Sequence, residues 1–373
     1  MRVSRRAGLV GAAIGVAAAA LTAGVAAQRR FVRRTRGAAD PYADEPFGRL
    51  ASDDVLIVTV ADGTDLYVEI IDPTDGVELD ATFAATGPPE LEPTIVFVHG
   101  FCLDMGTFHF QRKELTRRGD YRMVFYDQPG HGRSGKMESG EYDLAALGEA
   151  LHEVLATTAP EGPVVLVGHS MGGMTIMACA ESYPGLFADR VAGVVLMSTS
   201  GSIFGEAKKG PPALIARFAT PLLPLVNSAA RLTGSVIDQA RLAAADLAFV
   251  LTRKYGFGAR RPSPALVSYV ERMNARTTAE TIARYLGTLA THARYPALAA
   301  LRRVPVLVIV GDKDYITPPE HSEEIVRHLP DAELLTVADA GHVVMLEHAD
   351  QVNAALLAFL DRIGVDDRSE GRQ

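Results

Sequence analysis

An α/β fold, built on a mostly parallel central sheet with helices on both faces, is predicted by three observations. Six short runs rich in Val, Ile and Leu recur along the chain, each continuous rather than alternating, which is the pattern of strands covered on both faces. Helical stretches separate them and supply the crossovers that parallel strands require. Of the 373 residues, 48% are hydrophobic and 22% charged, enough apolar side chain for a large core without disulfide staples.

The chain opens with Ala7 to Ala27, an uninterrupted small and apolar run of 21 residues, close to the roughly 20 that span a bilayer as a helix. Three arginines precede it and five follow. By the positive-inside rule this predicts a single N-terminal membrane span with the rest of the chain in the cytoplasm. The alternative is export: Ser4-Arg5-Arg6 resembles the start of a twin-arginine signal and Val25-Ala26-Ala27 a cleavage site, although Gly8 stands where a Phe is expected. Either way residues 1–36 are read as an anchor or signal segment, and residues 37–50 as a linker.

The body follows in order. Asp53 to Val60 and Asp65 to Ile71 read as a β-hairpin turned by Asp62-Gly63. The six apolar runs are Thr94 to Val98, Arg122 to Tyr126, Val164 to Val167, Val191 to Ser198, Val306 to Val310 and Ala332 to Val337. Between Thr199 and Arg303 the alternation stops and helical periodicity with several prolines takes over, which predicts a helical cap over residues 201–290 inserted into a core of residues 51–200 and 291–365. Within the cap, Ala213 to Ala219 and Pro221 to Val226 are apolar stretches suited to packing or to lining an acyl pocket. Residues 366–373 read as a frayed tail.

Charge and cysteine content exclude several classes. The formal charge is −8, and eight arginines lie within residues 1–36, leaving 29 basic against 45 acidic residues downstream. An acidic body has no basic face for phosphates, so no nucleic-acid partner is expected. Cys102 and Cys179 form no C-x-x-C pair, and His109, His152, His292, His321, His328 and His348 have no metal-ligand spacing, so no metal is expected.

Chemistry concentrates after the Val164 strand. Val164 to Val167 runs into Gly168-His169-Ser170-Met171-Gly172-Gly173 and then a helix, placing a G-x-S-x-G motif in its strand, turn, helix context. The turn exposes the Ser170 hydroxyl at a helix N-terminus, where the Met171 N–H is available to an oxyanion. A plain glycine-rich turn with an inert serine would share the pattern. A serine hydroxyl needs a base and the base an orienting acid. Both follow in the chain: Val306 to Val310 ends in Gly311-Asp312-Lys313-Asp314, with two carboxylates, and Ala332 to Val337 is followed by Ala338-Asp339-Ala340-Gly341-His342.

With these motifs in order, the chain resembles the serine-nucleophile members of the α/β-hydrolase superfamily, the esterase- and lipase-like ones, over about residues 50 to 362 apart from the cap. His99-Gly100-Phe101-Cys102 resembles the family's HG oxyanion loop, Asp127 to Ser134 its D-x-P-G-x-G-x-S loop, Gly311 to Asp314 its G-x-x-D acid segment and Gly341-His342 with Glu347 its G-H-x-x-x-x-E base segment. The resemblance implies an α/β-hydrolase fold and a triad of Ser170, Asp314 rather than Asp312, and His342. It also implies an oxyanion hole from the Phe101 and Met171 N–H groups. His99, Gly100, Cys102 and His169 become candidates for the substrate pocket. Serine at position 170 points to acyl transfer rather than to the alkyl-ester chemistry of Asp-nucleophile relatives.

The expected function is therefore hydrolysis of a small-molecule carboxylic ester, hydrophobic or lipid-like given an apolar cap beside a membrane segment. Such a triad requires no cofactor. Acyl transfer, perhydrolysis and C–C hydrolysis would use the same triad, and a non-catalytic binding protein the same fold. Gly130 to Gly135 also fits G-x-G-x-x-G and Gly130 to Lys136 G-x-x-x-x-G-K. The first lacks the acidic residue that would hold a ribose, and Met137 replaces the magnesium-binding hydroxyl of the second.

Overall fold

A computed structural model of the chain describes residues 27–73, 93–202 and 235–370. Eight strands form one sheet: β1 (Asp54–Thr59), β2 (Asp65–Ile71), β3 (Thr94–Val98), β4 (Met123–Tyr126), β5 (Val164–His169), β6 (Val191–Met197), β7 (Val306–Gly311) and β8 (Glu333–Val337). Their spatial order is β1-β2-β4-β3-β5-β6-β7-β8. The β1–β2 and β2–β4 pairs are antiparallel and every other pair is parallel. The predicted hairpin forms where expected, with Gly63 at φ 89° and its N–H donating to the Val60 carbonyl.

Continuous apolar strands work because both faces are covered. In β3, Ile95 and Phe97 face one core while Val96 and Val98 face the other. The first core is completed by the helices His109–Arg118 and Ala349–Glu370, the second by Leu144–Thr158, Met171–Ser182 and Pro319–His328. Phe97 stacks on Phe125 at 4.5 Å, locking β3 to β4.

Topology also fixes where a site can form. From β3 the chain crosses to β4 on one side and then to β5 on the other, so the connections leave β3 and β5 in opposite directions. The carboxyl ends of these two strands therefore border a crevice, the place where open α/β sheets receive ligands. The loops after β3, β5, β7 and β8 all emerge on that edge.

The N-terminal reading requires correction. Among the described residues no helix is long and apolar enough to cross a membrane, so the predicted single span, and the cytoplasmic placement drawn from it, have no support there. The run itself, up to residue 26, lies outside the described residues. The arginine-rich stretch that follows is a helix over residues 27–36 laid on the body: Val32 is buried in the first core, and Arg36 lies over the Phe249 ring and bonds Glu271 at 2.8 Å. Residues 40–48, read as linker, are also packed. Asp40 accepts the Ala265 N–H at 2.6 Å, Glu45 bonds Lys113 at 2.7 Å, and Phe47 stacks on Tyr269 at 4.5 Å.

Of the cap, the described part is helical, with Ser235–Gly256, Pro264–Asn274 and Ala279–Ala290. Both apolar stretches, Ala213 to Ala219 and Pro221 to Val226, lie outside the described residues. Tyr269 and Tyr285 tie the cap helices to the body by donating to the Gly106 and Pro129 carbonyls at 2.9 and 3.0 Å. No proline interrupts the last helix, which continues to Glu370 through residues read as tail.

Candidate active site

Ser170 sits between β5 and the helix Met171–Ser182 at φ 54° and ψ −117°, a conformation that L-residues rarely adopt. Three contacts hold it there. Its N–H donates to the Met197 carbonyl at 2.9 Å, and its carbonyl accepts the Gly173 N–H at 3.0 Å and the Thr199 hydroxyl at 2.7 Å. The flanking glycines are a consequence of crowding: a β-carbon at Gly168 would lie 2.7 Å from the Gly173 nitrogen, and one at Gly172 would collide with the Val98 carbonyl. Only glycine lets the helix start close against the end of β3.

The loops after β7 and β8 bring their side chains to this serine. His342 Nε2 lies 2.9 Å from Ser170 Oγ, and His342 Nδ1 lies 2.9 Å from Asp314 Oδ2. The Asp314 carboxylate is fully engaged: Oδ1 accepts the Ile316 and Thr317 N–H groups at 2.8 and 2.9 Å, and Oδ2 also accepts the Thr317 hydroxyl at 2.9 Å. Burial alone would raise its pKa, but the neighbouring His342 and these N–H donors outweigh burial and hold it below the usual carboxylate value. With Asp314 accepting, Nδ1 carries the imidazole proton and Nε2 is left to accept from the serine. Asp314, not Asp312, makes this contact.

Glu347 anchors the His342 loop. Its carboxylate accepts the Gly341 N–H at 2.7 Å and the Gly258 and Ala259 N–H groups at 2.9 and 2.7 Å, joining the base segment to the loop after the cap helix Ser235–Gly256.

The segment after β3 lies across from Ser170. A β-carbon at Gly100 would fall 2.8 Å from His169 Nδ1 and 3.1 Å from Ser170 Cβ, so the backbone passes directly beside Ser170. Phe101 follows, its ring edge-on to Tyr285 at 6.2 Å in a cluster that includes Met171 and Met174. Met171 opens its helix, so its N–H has no partner within that helix. Of the other pocket candidates, His99 and His169 are completely buried and engaged by backbone. His169 Nε2 donates to the His342 carbonyl at 2.9 Å, which ties the serine turn to the base loop. Burial lowers the pKa of His99 to about 4 and of His169 to about 3, so both are neutral at pH 7. Cys102, at φ 59°, has its thiol pushed up to about 12 by its packed surroundings and is not a thiolate nucleophile at neutral pH.

Three side chains that sequence reasoning missed complete the surroundings. Thr317 is one, and the D-x-x-T spacing from Asp314, an Asx-type turn, was its available signal. Gln128 and Thr175 are the others. Gln128 Nε2 donates to the His99 carbonyl at 2.5 Å, and Thr175 Oγ1 lies 2.8 Å from Gln128 Oε1. Nothing local in the sequence marks that pair.

A separate cleft of 860 Å³ opens between residues 43–50, the segment 104–112 and the helix Pro264–Asn274. Neither Ser170, Asp314 nor His342 lines it. Its charges largely neutralise one another, with Arg276 on Asp104 and Arg133 on Glu69 at 2.9 and 3.0 Å.

Residues 93–349 match the family model described as alpha/beta hydrolase fold. The chain belongs to that family. Among curated relatives it is 30% identical over 271 residues to polyketide synthase ThaQ of Burkholderia thailandensis, covering 72% of this chain but 12% of that much longer protein. It is 28% identical over 274 residues to the sn-1-specific diacylglycerol lipase ABHD11 of Mus musculus, covering 72% of this chain and 81% of that one. Among solved structures, a thermophilic esterase from Thermogutta terrifontis superposes with a TM-score of 0.61 at 23% identity, covering 83% of this chain and 99% of the esterase. That likeness concerns the fold.

Proposed function

We propose that this α/β-hydrolase cleaves a hydrophobic carboxylic ester through a Ser170-His342-Asp314 triad and an acyl-enzyme. The observation that carries the reading is the unbroken row from Ser170 Oγ through both nitrogens of His342 to Asp314, with 2.9 Å at each step. His342 Nε2 takes the hydroxyl proton as Ser170 Oγ attacks the acyl carbonyl, and Asp314 stabilises the imidazolium that forms. Charge developing on the carbonyl oxygen is received by the N–H groups of Phe101 and Met171. His342 then protonates the departing alcohol, and water activated by the same nitrogen releases the acid.

A hydrophobic substrate is supported by Phe101, a half-buried aromatic side chain beside Ser170 whose ring rests on the buried cluster of Tyr285, Met171 and Met174. The diacylglycerol lipase among its relatives acts, by its name, on a lipid ester. Rates on p-nitrophenyl esters of increasing acyl length test the proposal. The parent is expected to prefer chains longer than acetyl, and Ser170→Ala and His342→Ala to lose about 10⁴ to 10⁶ in kcat. Activity retained in purified, folded Ser170→Ala would overturn it.

A further inference from the structure

Resting on that reading, we propose that Gln128 is a positioning residue that sets the distance between the two oxyanion donors. Those donors belong to different segments. Phe101 lies on the loop after β3, and Met171 opens the helix after Ser170. Gln128, from the loop after β4, bonds both. Its side-chain Nε2 donates to the His99 carbonyl, two residues before Phe101, at 2.5 Å, and its Oε1 accepts the Thr175 hydroxyl at 2.8 Å, one helical turn from Met171. Thr175 lies on the helix that Met171 opens, its Oγ1 3.0 Å from the Met171 carbonyl, so the bridge ends on the first turn of that helix.

The same residue grips the His99 ring. The Gln128 backbone N–H donates to His99 Nε2 at 2.8 Å, which leaves His99 Nδ1 protonated and donating to the Gly100 carbonyl at 2.8 Å. The carbonyls on both sides of the Gly100 nitrogen and α-carbon, those of His99 and Gly100, are thus fixed, and so is the direction of the next N–H, that of Phe101. Gln128 and Thr175 are both fully buried, so no water competes for these bonds.

The chemistry of the bridge specifies an amide. Toward His99 the side chain meets a carbonyl and must donate, which turns Oε1 toward Thr175, where it accepts the hydroxyl proton. A methyl-terminated side chain does neither. A carboxylate opposes the His99 carbonyl with a second negative oxygen, whereas a protonated carboxylic acid donates on one side and accepts on the other, as the amide does. Among titratable groups facing this position, the His99 ring and the His131 ring, 5.4 Å from it, are both kept neutral by burial.

Two variants test the role on p-nitrophenyl butyrate. Gln128→Leu is expected to lower kcat about ten- to hundred-fold with little change in KM, because misdirected donors weaken the transition state and not ground-state binding. Gln128→Glu is expected to approach the parent at acid pH and to fall to the Gln128→Leu level as pH rises, read as the variant-to-parent ratio of kcat at each pH. A ratio that does not change with pH, high or low, overturns the positioning role even if Gln128→Leu fails to fold. Ser170→Ala in the same assay separates the two failures. Activity retained there removes the hydrolase reading and this inference with it, whereas activity lost there beside a pH-independent ratio removes only the role of Gln128.

Discussion

Replacing Asp314 by Asn changes one atom and reverses the polarity of the site. Oδ1 must go on accepting the two N–H groups of Ile316 and Thr317, at 2.8 and 2.9 Å, so the amide oxygen is held on that side. The new NH₂ then occupies the Oδ2 position, 2.9 Å from His342 Nδ1. Two donors cannot face each other across that distance, so Nδ1 becomes the acceptor and Nε2 takes the proton. An Nε2–H cannot accept from the Ser170 hydroxyl, and the base is lost although every side chain stays in place. Locking the wrong tautomer costs about 10⁴ in kcat, or about 5 kcal/mol in the barrier. Thr317 Oγ1 can turn to accept from the new amide, so the fold is expected to survive. The assay is kcat on a p-nitrophenyl ester beside the thermal midpoint of each protein. A folded Asp314→Asn variant within tenfold of the parent would refute the tautomer argument.

Two further outcomes follow from the same surroundings. Glu347→Ala strands the N–H groups of Gly258, Ala259 and Gly341; unsatisfied donors of this kind cost about 1 to 3 kcal/mol each, and water entering at this half-buried site relieves part, so a Tm several degrees lower and a reduced kcat are expected, while an unchanged Tm would contradict the anchoring role. Asp127 is pushed up to about 7 by burial and by the nearby Asp104, against the N–H groups of Met105 and Arg133 that favour its charge. The native state therefore holds its proton more tightly than the unfolded chain, and Asp127 costs stability progressively as pH rises from about 4 to about 7. The Tm advantage of the parent over Asp127→Asn should shrink across that window, and a difference independent of pH would refute the shift.

What the sequence disclosed and what it withheld divide on physical lines. Strands β2 and β3 fall on the predicted residues and the others within a residue or two; β3 to β7 were legible because a strand buried on both faces must be apolar throughout, and β1 and β2 because of the Asp62-Gly63 turn between them, whereas β8 is largely exposed. Ser170 was legible for the same reason: a strained turn between a strand and a helix needs small neighbours at fixed offsets. The choice between Asp312 and Asp314 was not local. Both lie on one loop, two residues apart, and only the resemblance separated them; the fold separates them by which carboxylate meets the Ile316 and Thr317 N–H groups and His342.

Gln128 and Thr175 were invisible because their partners are long-range: 29 and 47 residues separate the members of the two bonds. The N-terminal stretch failed differently. A run of arginines beside an apolar segment reads as the flank of a membrane span, yet the helix over residues 27–36 is docked on the body by a buried valine, an arginine that pairs with Glu271 and rings stacked under arginines. Composition reports the number of charges and not their partners.

Every step proposed here requires Ser170 to be an activated nucleophile. Treating the full chain with a fluorophosphonate and mapping the adduct by peptide mass spectrometry tests it without choosing a substrate. One adduct is expected, on Ser170, absent from Ser170→Ala and formed far more slowly in His342→Ala. A folded chain that takes no adduct, or takes it on another residue at the same rate in all three proteins, would contradict it.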